Sequence, residues 1–356
     1  MDGVPAAVMD QTELVIEKGD SKVLTVLFSR AGLEDKPAVW TSSRPDIATV
    51  ADGVVVGISA GRAVITALTD DYLAECDVVV VVSATSITVE PGEVKMAPVK
   101  TVTLQATVLP EDCTDEVEWF SSDETVATVN DGVVSAWIDG SATITARAGS
   151  QSASCSVVVE SKVKAVDMGL SVMWGDVNLG AEKPEDFGNY YAWGEVEPKG
   201  DYSWETYKWA EGSHLKITKY CEDRFWAGKG LPDKKIVLDP EDDAAHVKLG
   251  IKWRIPTIEE WEELMTNCTW FWTQNYNGTR TRGRIVTAAN GNSIFLPACG
   301  QRLHTFYYSD DGYYWSSSRD KDEPAQAWFV TFNMGVAHAR ISYYRNFGYS
   351  IRPVSD

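Results

Sequence analysis

The strongest constraint on how this chain can fold is an internal repeat at an offset of 79 residues. Trp40-Thr41-Ser42-Ser43 matches Trp119-Phe120-Ser121-Ser122, Ile47-Ala48-Thr49-Val50 matches Val126-Ala127-Thr128-Val129, and Asp52-Gly53-Val54-Val55 matches Asp131-Gly132-Val133-Val134. Cys76 matches Cys155, and nothing is inserted between the tryptophan and the cysteine. A unit of this size can carry its own core, so the first 160 residues read as two copies of one domain. Short runs rich in Val, Ile and Thr, such as Lys22–Phe28, Ala63–Leu68, Cys76–Val82, Val102–Val108, Ala142–Ala146 and Cys155–Val159, lie between turn residues. Asp-Gly pairs between β-branched runs signal tight hairpins. About seven short strands per copy is the pattern of a small β-sandwich, with Trp40 and Trp119 anchoring the two cores.

These strings resemble bacterial Ig-like domains of group 2 over about residues 10–160. The resemblance implies extracellular spacer or adhesion modules, export from the cell, and a structural rather than catalytic role. Neither copy carries a cluster of His, Cys or carboxylate residues at a chemical spacing. The expected boundaries are residues 1–83 and 84–160 for the two modules, with a third domain over 161–356.

Composition changes sharply after Glu160. The remainder holds eleven of the fourteen tryptophans, thirteen of the fourteen tyrosines and eight of the ten phenylalanines. Such aromatic density with weak periodicity predicts long packed loops, and Ser161–Lys164 reads as the linker. One helix is clearly signalled. Thr257 caps it, Glu260 completes a capping box, and Ile258, Trp261, Leu264, Met265 and Cys268 share one face. The carboxylates of Glu259, Glu260, Glu262 and Glu263 suit the positive end of its dipole. A second helix is expected to start with Asp239 as cap and Pro240 in the first turn.

The third domain carries an ordered motif series. It comprises Trp253-Arg254-Ile255-Pro256-Thr257, Asn292–Ala298, Tyr314-Trp315-Ser316-Ser317-Ser318 and Ser350-Ile351-Arg352-Pro353-Val354. Over residues 165–354 this resembles the C-type-lectin-like fold in its formylglycine-generating-enzyme-related branch. The expected fold class is therefore multidomain, two all-β Ig-like sandwiches followed by an α+β C-type-lectin-like domain. Asp167–Val172, Tyr191–Glu195 and Leu238–Ala245 further resemble exported domains of gut Bacteroidetes. Some relatives of that type are the hypervariable binding proteins of diversity-generating retroelements.

Chemistry is poorly supported. Formylglycine-generating enzymes use cysteines late in the domain, and here none follows Cys299. The serines at 316–318 lack a nucleophile elbow. The six cysteines form no CxxC pair, and the four histidines show no metal-ligand spacing. A Cys113–Cys155 bridge is the one disulfide that strand-like neighbours suggest. Calcium lectins of the wider fold use a Glu-Pro-Asn or Gln-Pro-Asp triplet, whereas this chain has Glu323-Pro324-Ala325; Asp310, Asp311, Asp320 and Asp322 are the other oxygen donors nearby. The chain is thus read as a non-enzyme with no cofactor and no bound metal.

The segment Ala325–Val354 contains no Asp or Glu, although the whole chain carries a formal charge of −20. It alternates in two stretches that predict a hairpin around Asn333-Met334-Gly335. Trp328, Val330 and Phe332 face one way, with Ala337, Ala339 and Ile341 also inward; Tyr349–Val354 forms a last strand. The positions matching the variable ones of the retroelement-diversified relatives are Phe329, Thr331, Val336, His338, Arg340, Ile341, Ser342, Tyr343, Tyr344, Asn346 and Phe347. They are the expected ligand-binding residues, with Arg340 and Arg345 favouring acidic groups. Trp315 and Arg352 are expected to hold the fold.

The expected partner is a host or bacterial surface protein or glycan. The acidic balance speaks against nucleic acid. The longest apolar run, Val78–Val82, is too short to cross a membrane. Met1–Asp10 shows no signal peptide, which suits either a mature exported protein anchored through a removed N-terminus or a cytosolic one. The resemblances favour an extracellular or outer-surface location. An exported enzyme and a pilus or surface-layer subunit are the alternatives.

Overall fold

The computed structural model describes residues 7–28, 37–69, 72–222, 233–308 and 310–356. The repeat folds as two copies of one topology. A four-stranded sheet takes Glu13–Glu17, Tyr72–Val81, Gly61–Thr69 and Val39–Ser42 in spatial order, and Glu93–Met96, Gln151–Val159, Gly140–Ala148 and Val117–Ser121 in the second copy. A three-stranded sheet faces it, with Ser21–Val23, Val54–Gly57 and Ala48–Ala51 in one copy and Thr101–Thr103, Val133–Ala136 and Ala127–Asn130 in the other. A two-stranded pair completes each copy: Ala7–Met9 with Val26–Phe28, and Ser86–Glu90 with Gln105–Leu109.

Among the described residues each module therefore has nine strands, two more than the sequence suggests. The runs Lys22–Phe28 and Val102–Val108 are each broken at a leucine. Leu24 and Leu104 turn into the core, and their N–H groups donate to the carbonyls of Gly53 and Gly132 at 2.8 Å. The chain thereby leaves one sheet for another, a corner that alternation alone does not reveal. The hairpins form as read: Asp52 and Gly53 have φ of +49° and +81°, Asp131 and Gly132 +46° and +78°. A Cβ on Gly53 would lie 2.6 Å from the Leu24 carbonyl oxygen and 3.2 Å from the Trp40 ring, with the same distances at Gly132, so the tryptophan packs over its glycine turn. Cys76 and Cys155 are fully buried core residues, and Cys113 and Cys155 are not bridged.

The modules are tied at their joint. Thr114 N–H donates to the Val82 carbonyl at 2.8 Å, Val82 N–H to Thr114 Oγ1 at 3.0 Å, and Lys18 pairs with Asp112 at 2.6 Å. At the next joint Ser161 N–H donates to Asp139 Oδ1 at 2.7 Å.

Among its described residues the third domain, the head, contains two short α-helices, α1 (Ala244–Leu249) and α2 (Ile258–Asn267). Helix α2 starts as expected, with the reciprocal Thr257–Glu260 capping box and Ile258, Trp261 and Leu264 buried. Helix α1 differs. Pro240–Asp242 forms a 3-10 turn, and the cap is Asp243, whose side chain accepts from Ala245 and His246 N–H. Asp239 instead pairs with Lys219 and Lys235.

Strands β1 (Thr269–Tyr276), β2 (Thr281–Thr287) and β3 (Ser293–Pro297) form one antiparallel sheet. A short hairpin follows, β4 (Gln301–Leu303) with β5 (Phe306–Tyr308). A second sheet takes β6 (Gly312–Arg319), β7 (Gln326–Phe332) and β8 (Ala337–Tyr344). Its two faces enter different cores. One face packs Tyr314, Val330 and Phe332 with Trp174 and Trp261 of α2; the other packs Trp315, Phe329 and Tyr349 with Tyr191 and Trp193. The terminal segment after β8 runs mainly through isolated bridges at Gly348–Ser350, and only Val354–Ser355 is a strand, so the expected strand over 349–354 is largely replaced. Arg352 holds this region from full burial, donating to Asn178 Oδ1 at 2.9 Å and to the Gly175 and Phe295 carbonyls at 2.9 and 2.7 Å. No helix among the described residues is long and apolar enough to cross a membrane.

Candidate functional site

The site is built by the register of β6, β7 and β8. Tyr313, Thr331 and His338 stand in one cross-strand row, Trp315, Phe329 and Ile341 in the next, and Ala327 with Tyr343 in a third. Directly paired residues share a face. Between the first two rows β7 spends one residue, Val330, and β8 spends two, Ala339 and Arg340. The extra residue is a β-bulge, and Arg340 takes φ +56° within it. The bulge keeps His338 and Ile341 on one face although they are three residues apart.

The same face carries a groove of about 350 Å³ lined by Gln301, Leu303, Tyr313, Phe329, Tyr343, Phe347 and Tyr349. Its floor is a set of touching rings: Tyr313 and Tyr349 have centroids 5.3 Å apart, Phe329 and Tyr349 4.9 Å, and Tyr343 and Phe347 4.9 Å edge-on. Such rings supply rigid contact area with little entropy to lose. Burial first, and Asp311 second, push the Tyr313 hydroxyl above its ordinary titration range, so it stays a neutral donor and acceptor. Hairpin β4–β5 forms the opposite wall, and Arg302 and Gly348 exchange backbone hydrogen bonds of 2.8 and 2.9 Å to hold it there. A Cβ on Gly348 would lie 2.6 Å from the Tyr202 ring, so this docking requires glycine. Phe306, paired with Leu303, leaves 63% of its surface exposed beside the groove.

Of the expected binding residues, Phe329, Tyr343 and Phe347 line the groove, and Thr331, His338 and Ile341 share its face. The others lie elsewhere. Val336 is in the β7–β8 turn, and Ser342 pairs with Trp328 and donates to Gln326 Oε1 at 3.1 Å. Tyr344 packs edge-on against Trp204 at 5.6 Å. Asn346 is buried and donates to the Tyr202 carbonyl at 2.7 Å, so it supports the loop from inside and has no surface to offer.

The two arginines also depart from expectation. Arg345 is fully buried, donating to the Tyr220 and Lys219 carbonyls at 3.3 and 3.2 Å beneath Trp193. Arg340 turns to helix α2, meeting Glu262 twice at 2.7 Å and Glu259 at 3.0 Å, with Trp328 5.9 Å from its guanidinium. The terminal segment is free of acids in sequence, yet the fold lays two carboxylates on its exposed arginine, and that pairing holds Glu262 below the usual carboxylate range.

Sequence reasoning missed Gln301, Leu303, Tyr313 and Tyr349. The signal was present in the aromatic run Phe306-Tyr307-Tyr308 before the turn-forming Asp310-Asp311-Gly312. The serine run belongs to a second irregularity in β6. Ser316 Oγ donates to the Trp328 carbonyl at 2.8 Å, and Ser318 Oγ accepts from Ile258 N–H at the start of α2. Asp239, Glu241 and Asp242 converge within metal-binding reach, but Lys219 sits among them at 2.8, 3.6 and 2.5 Å. That cluster is a neutralised ion-pair network.

Comparison with known proteins defines the class of the first two modules. Residues 4–78 and 83–159 match the bacterial Ig-like domain (group 2), and these two modules are members of that family. Residues 262–354, which contain all seven residues lining the groove, match a domain of unknown function, DUF8237. A stretch of 130 residues is 38% identical to Ice-binding protein 1 of Shewanella frigidimarina (strain NCIMB 400); it is 34% of this chain and spans 15% of that protein. Among solved structures, S-layer protein SbsC domains 4 and 5 match at 23% identity and a TM-score of 0.20, covering 38% of this chain and 80% of that one. The first eight Ig domains of Down Syndrome Cell Adhesion Molecule match at 13% identity and a TM-score of 0.31, covering 45% of this chain and 27% of that one.

Proposed function

We propose that this chain is a secreted or surface-displayed binding protein without catalytic activity. Its two Ig-like modules hold out a head that grips a protein or glycan through the aromatic groove. The observation that carries this reading is the convergence of Gln301, Leu303, Tyr313, Phe329, Tyr343, Phe347 and Tyr349 from four separate segments on one concave surface. Concave, mostly apolar surfaces with a few polar groups are where ligands bind, and aromatic anchors dominate such contacts. The match of the first two modules to the bacterial Ig-like family supports an extracellular setting. The head is read as C-type-lectin-like on its ordered motifs, with the face beside β8 as the ligand-bearing one.

The test is an array of glycans and of host and bacterial surface proteins, probed with the full chain and with Tyr343→Asp. Tyr343 is 45% exposed, so the substitution places a charge at the groove, and circular dichroism checks that the variant keeps its fold. Ligands that bind the wild-type chain are expected to lose the variant. Equal capture of the same ligands by both would overturn the groove as the site.

A further inference from the structure

The two Ig-like copies share a topology but not a surface, and each serves as a control for the other. On the outer face of the first copy's four-stranded sheet, Val39 pairs with Leu68 and Leu68 with Leu73. These three form a cross-strand row exposed by 63, 45 and 55%. The equivalent row of the second copy is Glu118, Arg147 and Ser152, in the same register. The fold therefore has no need of apolar side chains there. Clustered exposed apolar groups carry a solubility cost and mark contact surfaces.

The surroundings of the row differ as well. About 7 Å further along the strands on the same face Glu75 opposes Thr66, and about 13 Å along Asp77 lies between Val64 and Glu13. Glu13, Glu75 and Asp77 are exposed. At the positions of Glu75 and Asp77 the second copy has Ser154 and Ser156, while Glu93 keeps the place of Glu13. The first copy thus combines an apolar row with a block of carboxylates, while the second is nearly neutral and has Phe120 as its one exposed apolar group on this face. Two such acidic faces repel each other, and an acidic face attracts a basic partner.

We infer that the outer sheet face of the first Ig-like module is a second binding surface, taking a protein segment that sets apolar side chains over Val39, Leu68 and Leu73 and lysine or arginine against Glu13, Glu75 and Asp77. This surface is independent of the aromatic groove in the head.

The second copy supplies the test variant. Val39→Glu, Leu68→Arg and Leu73→Ser together transplant its row and leave the net charge unchanged, so a loss of binding reports the row and not the overall field. The probes are two ten-residue peptides, one alternating Leu and Lys and one alternating Leu and Glu, titrated calorimetrically into the full chain. The Leu/Lys peptide is expected to bind the wild-type chain at least about tenfold more tightly than the triple variant, with no binding of the Leu/Glu peptide. Circular dichroism should show an unchanged fold. Equal affinity of the Leu/Lys peptide for both chains, or no binding to either, would overturn the inference. So would a wild-type dimer in sedimentation that the triple variant dissolves, since the face would then be covered by a second copy.

Discussion

Arg340 sets the geometry of the groove face from a single position. It is a non-glycine residue at φ +56°, and its guanidinium is fixed by Glu262, Glu259 and the Trp328 ring. The left-handed backbone costs about 1 kcal/mol for a residue with a Cβ, and glycine relieves it. An exposed ion pair contributes under about 1 kcal/mol. Arg340→Gly loses the pair but gains backbone freedom, so its stability should fall within about 0.5 kcal/mol of wild type. Arg340→Ala loses the pair and keeps the strain, and should be about 1 kcal/mol less stable than the glycine variant. Urea denaturation of both variants checks the order; an alanine variant as stable as the glycine one would remove the bulge from the account. A sequence reader sees an arginine in a β-pattern and assigns it outward toward a ligand. Its pairing with α2, some 80 residues away, is a tertiary fact that no local pattern encodes.

At the scale of elements, legibility followed locality. The capping box of α2 and the two Asp-Gly hairpins formed as read because each is decided within a few residues. The expected start at Asp239 and Pro240 forms a 3-10 turn, and α1 itself begins one turn later because its cap depends on a partner elsewhere. Asp243 accepts from Ala245, His246 and Ile255 N–H, the last from the segment that leads into α2. Burial pushes the Asp243 carboxyl up from 3.8 to about 6 despite these three donors. Between about pH 4 and 6 the folded chain then holds a proton that the unfolded chain has released. Stability contributed by this group therefore falls as pH rises through that window and is level above it. Asp243→Asn should flatten that part of the profile, measured as the difference in unfolding free energy between the two proteins from pH 4 to 7. Parallel profiles would show that the three donors keep the carboxylate ionised throughout.

Across the whole molecule, the repeat made two of three domains readable, since matching strings at a fixed offset leave little freedom in topology. The terminal face was readable only in part. Alternation separated Val330 and Phe332 from Phe329 and Thr331, and these do enter different sides of the sheet. It could not show that both sides are covered, which is why Asn346 and Arg345 disappear into the interior. The groove's second wall comes from a hairpin ahead of β6 that is hydrogen-bonded to the terminal segment through Arg302 and Gly348.

Hydrogen bonds at Val82–Thr114 and Asp139–Ser161 tie the two Ig-like modules to each other and to the domain that carries the groove, and the proposed function makes that groove the binding end. Hydrogen exchange of the full chain with and without a ligand captured on the array tests this most directly. Protection confined to Gln301–Leu303, Tyr313 and Tyr343–Tyr349 is the predicted result. Protection absent there and found instead on the β7–β8 turn or on the Ig-like modules would contradict it.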